Sequence, residues 1–104
     1  MELKKEDLKR GAILVEQFSY SMILYNFYKV IRVSGAAVDM IKLSAENVKT
    51  YGWLQWQVKP VNKSAWLQAD VIRKRFSKYG LKGTNDEYMS LYDDEAEYIE
   101  DHAD

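Results

Sequence analysis

The side chains of this chain best suited to chemistry are charged groups and tyrosines, and they are segregated by sign along the sequence. Residues 84–104 hold nine acids, among them Asp86, Glu87, Asp93, Asp94, Glu95 and Glu97, and no Lys or Arg. All 15 Lys and Arg fall in residues 1–83 against seven acids, which makes a +8 body with a −9 end. Blocks of like charge commonly mark interaction surfaces or tails. The acidic end also carries Tyr88, Tyr92 and Tyr98. Tyrosine supplies interfacial area at low entropic cost, and carboxylates speed encounter with a basic target. The first expectation is therefore a partner-binding surface of Asp86, Glu87, Tyr88, Tyr92, Asp93, Asp94, Glu95, Glu97 and Tyr98, directed at a basic groove on another protein.

An alternative starts from the cations Arg73, Lys74, Arg75, Lys78 and Lys82. On an open barrel these could hold phosphates by charge while Trp53, with Tyr51, Tyr79 and Trp66 as further aromatics, stacks bases. The plainer reading of the same run is a solvated strand face with the tryptophans in the core. Gly80-Leu81-Lys82-Gly83 matches the Gly-x-x-Gly of a KH loop, but the flanking helices of that module are not legible and a turn is expected.

Other chemistry is thinly represented. The chain has no cysteine, which removes disulfides, thiolate catalysis and thiolate metal sites, and fits a reducing compartment. The one histidine, His102, stands in the acidic end without a second His or Cys and is expected to be solvated. Asp93, Asp94, Glu95 and Glu97 lack the Gly and terminal Glu spacing of a calcium loop. No Gly-x-Ser-x-Gly, P-loop or dinucleotide fingerprint occurs. No catalytic residue, metal or cofactor is expected, and the chain does not read as an enzyme.

The elements that must position these groups read as strands. Tyr25–Gly35 is the densest run of β-formers; its β-branched and aromatic residues lose rotamer freedom in a helix but pack well on a pleated surface. A helical face through Tyr20, Ile23, Leu24, Phe27, Tyr28 and Ile31 competes with it on spacing alone. Ala12–Tyr20 precedes it as a first strand, and Ser34-Gly35 joins it in a hairpin to Ala36–Leu43, where Val38 and Met40 face one way and Asp39, Ile41 and Leu43 the other. Ser44–Gly52 is polar and ambiguous, a helical turn or widened loop. Trp53–Val61 alternates Leu54, Trp56 and Val58 with Gln55, Gln57 and Lys59, and Pro60 belongs at a strand end. Asn62–Asp70 is a connection anchored by Trp66 and Leu67, Val71–Ser77 is a basic-faced strand, and Asp86–Tyr92 is a last one. Leu3 and Leu8 anchor a charged lead-in. Short strands separated by turn signals argue for an all-β fold: a small antiparallel five- to six-stranded barrel or sandwich, of SH3-like form. It is one domain, with a lead-in at 1–10, a β core at 11–92 and an acidic tail at 93–104. No apolar run approaches a membrane span, and a soluble cytoplasmic protein is expected.

Several short motifs fall in a recognisable order: Gly11-Ala12-Ile13, Phe18-Ser19-Tyr20, Phe27-Tyr28-Lys29-Val30-Ile31, Val58-Lys59-Pro60-Val61, Arg73-Lys74-Arg75 and Tyr88-Met89-Ser90-Leu91-Tyr92-Asp93. This resembles a family of small bacteriophage and mobile-element proteins with the pattern Gly-Asp-Ile, Trp-Gly-Tyr, Asp-Phe-Tyr-Gln-Val-Val, Val-Pro-Val, Lys-Arg-Val and Tyr-Ala-Ser-Leu-Trp-Asp. The chain departs from it at Ser21–Leu24, where the family is polar, and at Asn26, where the family has aspartate. The resemblance implies a phage-type origin and an all-β fold. It raises the leading expectation of function: inhibition of a host nucleic-acid-handling protein, such as a CRISPR effector or restriction component, through the acidic surface. A nucleic-acid-binding barrel and a structural phage component are the alternatives.

Overall fold

The computed structural model describes residues 3–19, 22–61, 70–83 and 87–102. These form a short 3-10 turn, Lys5–Asp7, and eight strands: β1 (Ile13–Ser19), β2 (Ile23–Ser34), β3 (Ala37–Leu43), β4 (Ala45–Gly52), β5 (Gln55–Pro60), β6 (Val71–Arg75), β7 (Ser90–Leu91) and β8 (Tyr98–Asp101). All pairings are antiparallel. The main path runs β4-β5-β8-β2-β1-β7, and β3 with β6 branches from β2. The sheet curls into a half-barrel, so the fold is all-β, small and partly open. Among the described residues no helix is long and apolar enough to cross a membrane.

The β-rich run is the centre of this sheet. One edge of β2 pairs with β1 from Ile23 to Lys29; the other pairs with β3 from Phe27 to Ser34 and touches β8 at Ile23. Gly35, at φ +60, closes the β2–β3 hairpin in a conformation that costs a residue without Cβ little.

Because successive side chains alternate, the central strands bury both faces. One face packs Leu14, Tyr28, Val30, Val38 and Met40 beneath Leu3, Leu8, Leu81 and Met89. The other packs Val15, Phe27, Ile41, Leu43 and Val58, with Tyr25, Trp56, Tyr92 and Tyr98 around them. Phe27 and Tyr28, each 1% exposed, lie on opposite faces, and burying such a ring is worth roughly 2–3 kcal/mol. One buried carboxylate belongs to the first layer: Glu16, fully buried, accepts hydrogen bonds from the Tyr28 hydroxyl (3.1 Å) and the Asn26 amide (3.4 Å). Gly83 passes so close that a Cβ there would overlap this carboxylate.

Four expectations are corrected. Ser44–Gly52 is largely strand β4, and it carries no alternation because all eight of its residues are exposed. The next strand begins only at Gln55, since Trp53 and Leu54 make the hairpin turn, with Leu54 at φ 57. The expected last strand shrinks to Ser90–Leu91, preceded by an isolated bridge between Lys82 and Tyr88. The acidic end is no tail: β8 is an interior strand, paired with β5 along its length and with β2 at Asp101. The anchors Trp66 and Leu67 lie outside the described residues, as does Asp86.

Candidate functional site

Strand register brings cations together on one face of the branch formed by β2, β3 and β6. In antiparallel ladders directly paired residues share a face, so Arg32, Asp39 and Arg73 form one row across the three strands. Ile13, Lys29, Ile41 and Val71 form the next row, and Ser34, Ala37 and Arg75 the row on the other side. A cleft of about 330 Å³ opens among Arg10, Lys29, Val30, Ile31, Arg32, Asp39 and Val71.

Arg32 reaches this face because of a β-bulge. The β2–β3 register shifts between Val30 and Arg32, which makes Ile31 the extra residue. Val30 and Val33 both stay in the first core layer, while Ile31 and Arg32 turn toward the cleft. Without the bulge strict alternation would put Arg32 on the Val30 side. A bulge that re-aims a side chain is a recurrent device at functional edges.

Asp39 organises the row. Its carboxylate accepts two hydrogen bonds from the Arg73 guanidinium, Nε to Oδ1 at 2.7 Å and Nη2 to Oδ2 at 3.1 Å, a planar fork that fixes the arginine's orientation. The Arg73 hydrogen bond, with further attraction from Arg73 and Arg32, outweighs the opposing desolvation and holds the Asp39 carboxyl below the usual carboxylate range. Asp39 raises the Arg73 value in turn. The Asp39 side chain is 12% exposed and that of Arg73 67% exposed, so the pair roots an arginine whose outer part faces solvent. Among the described residues, these rows and the cleft rim bring Arg10, Lys29, Arg32, Arg73 and Arg75 together, with Asp39 as the carboxylate in their midst.

The cations singled out from sequence do not act as one group. Arg73 and Arg75 lie on the cleft face, whereas Lys74 pairs with Val38 and points to the opposite one. Lys78 and Lys82 belong to the segment following β6, their ammonium groups 5.0 and 5.8 Å from the ring centres of Tyr79 and Tyr88. Trp53, 81% exposed, sits at the tip of the β4–β5 hairpin, at the other end of the strand order from β6. Sequence reasoning misses Arg10, Lys29, Arg32 and Asp39. Asp39 does carry a signal: a lone charge inside the apolar run Ala-Val-Asp-Met-Ile calls for a partner of opposite sign.

The acidic end divides between groups engaged within the fold and groups exposed on it. Tyr92 and Tyr98 stack at 5.4 Å and each meets the Phe27 ring edge-on, at 5.7 and 5.9 Å; Tyr25 meets Tyr98 at 5.3 Å. They are half-buried rings packed against the second core layer, whereas Tyr88 is exposed. Burial, followed by the proximity of Tyr98 and nearby carboxylates, pushes the Tyr25 and Tyr92 hydroxyls above their ordinary range. The Tyr98 hydroxyl accepts the Asp93 N–H at 3.0 Å, and Asp93 Oδ1 accepts the Glu95 N–H at 3.0 Å. Glu97 accepts the Tyr51 hydroxyl, which raises that tyrosine's value. Asp101 takes a hydrogen bond from Gln55 at 3.1 Å. Glu100 accepts the Tyr25 backbone N–H at 3.0 Å, beside the point where β8 leaves the edge of β2. Its other oxygen lies 2.9 Å from His102 Nε2. His102 is therefore not simply solvated: it stacks on Trp56 at 4.4 Å and donates its backbone N–H to the Leu54 carbonyl. Asp94, Glu95, Glu97 and Glu87 are exposed, in two separate stretches. Among the described residues no group of three or more His, Cys, Asp or Glu converges as a metal site would.

No family model, curated protein or solved structure matches the chain.

Proposed function

We propose that this protein is a nucleic-acid-binding β module that grips phosphates with Arg10, Lys29, Arg32, Arg73 and Arg75. The observation that carries this reading is the Arg32–Asp39–Arg73 row, in which a bidentate pair orients one guanidinium toward solvent beside a second, above a cleft with further cations at its rim. Oriented arginines suit bidentate phosphate recognition better than flexible lysines do. Inhibition of a host defence protein through the acidic surface is the reading with less support, because its anchors Tyr92 and Tyr98 pack against Phe27, which leaves Glu87, Tyr88, Asp94, Glu95 and Glu97 as its exposed members among the described residues, in two separate stretches.

Fluorescence anisotropy with labelled oligonucleotides at two salt concentrations tests the proposal. Binding should weaken steeply with salt, and Arg32→Glu or Arg75→Glu should weaken it further and reduce the salt slope by roughly one for each phosphate no longer held. Lys78→Glu, outside the cleft, should change it little. Salt-insensitive binding, or charge reversals that bind as the wild type does, would overturn it. Deleting residues 93–104 does not discriminate the two readings, because the deletion removes a sheet strand.

A further inference from the structure

We infer that the ligand of the basic cleft is single-stranded, with an unstacked base seated on the apolar floor made by Ile31 and Val71 while the surrounding cations hold its phosphates. This deepens the nucleic-acid reading and rests on it. Val71 is 57% exposed on β6, which among the described strands pairs with β3 alone and so forms an edge, where charged residues are the usual guard against unwanted pairing. It lies in the row next to Asp39 and Arg73, so an apolar side chain and an oriented guanidinium sit side by side on one surface. Ile31, half-buried against the second core layer, lines the same cleft by ordinary alternation and extends the apolar floor toward Arg32, which the bulge brings to this face. A surface meant only for phosphates needs no such floor.

Size and spacing point the same way. The cleft's volume of about 330 Å³ lies at the small end of the range for small-molecule sites, enough for a nucleotide-sized group. Arg73 and Arg75 are two residues apart on β6, hence roughly 6.6 Å apart along the strand, a step that suits successive phosphates of an extended backbone. A duplex keeps its base faces stacked inside, so it could offer this cleft phosphates and groove edges but no base face. A single strand can present a base face to apolar side chains and to guanidinium planes as well.

The test compares wild-type affinity for a single strand, for the duplex of the same sequence, and for an abasic single strand with the same phosphates, at one salt concentration. The single strand should bind at least about tenfold more tightly than either competitor, the increment typical of one seated base. Val71→Thr keeps the shape and β-propensity of the exposed position and should narrow the preference several-fold, with the salt slope unchanged. Equal affinity for all three ligands, or an unaltered preference in Val71→Thr, overturns the inference and leaves the nucleic-acid reading standing. Failure of every oligonucleotide to bind at low salt overturns both. The abasic arm keeps the proposal falsifiable even if the variant misfolds.

Discussion

Asp39 and Glu100 are carboxylates of equal side-chain exposure, 12% each, and they serve the two charged regions of the molecule in opposite ways. Asp39 turns its charge to holding Arg73 in a fixed orientation at the surface, so the basic branch of the sheet keeps its cations facing outward. Glu100 turns its charge inward, one oxygen on the Tyr25 N–H and the other on His102, and so completes the edge of β2 where no strand partner continues. Formal charge is similar in size in the two parts of the chain, yet Arg73 is held with its outer part in solvent whereas Glu100 and Asp101 are engaged in hydrogen bonds within the sheet. A charge run therefore says little about a surface until the partners of its members are known.

The largest expected effect breaks the acidic side of that comparison. Ending the chain after Glu97 removes β8, takes Tyr98 out of the ring cluster and leaves the edges of β5 and β2 open. The loss should exceed about 4 kcal/mol, since truncating one buried aromatic already costs roughly 3–5. Urea denaturation measures it, and a wild-type midpoint would show that the segment is a dispensable tail after all.

Glu100→Ala isolates the inward carboxylate. It leaves the Tyr25 N–H without its acceptor and should cost about 1–3 kcal/mol, whereas Glu100→Gln keeps an acceptor and should cost less. Equal losses for the two variants would mean that the hydrogen bond to Tyr25 contributes little.

The smallest effect sharpens the basic side. With the native Asp39 value depressed, its charge stabilises the fold fully above the ordinary aspartate value, about 4, and that contribution fades as pH falls through the lower native value. Wild type and Asp39→Asn should therefore differ at neutral pH and converge on acidification below about pH 4. Melting curves across that range check it; a constant difference down to the acid limit would remove Arg73 as the cause.

Much of the fold was legible because it depends on local pattern. The β-branched and aromatic content of Tyr25–Val33, the Ser34-Gly35 turn and the opposed faces of Val38 and Asp39 all reappear in β2 and β3. The polar strand β4 was not legible, since a ribbon exposed on both sides has no hydrophobic period. The candidate site was half legible: Arg73 and Arg75 stand out as a basic strand, but Lys74 alternates away from them. Arg32 joins them only through a one-residue bulge that propensity does not predict.

By itself, then, the sequence determined the all-β class, the hairpin at Gly35, the central place of β2 and the separation of charge between body and end. Only the tertiary structure decided which charges face solvent. The pairs that settle this are remote along the chain, 34 residues apart for Asp39 with Arg73 and 75 for Tyr25 with Glu100. Strand order and register bring them together, and both follow from packing the two faces of the sheet at once rather than from any local preference.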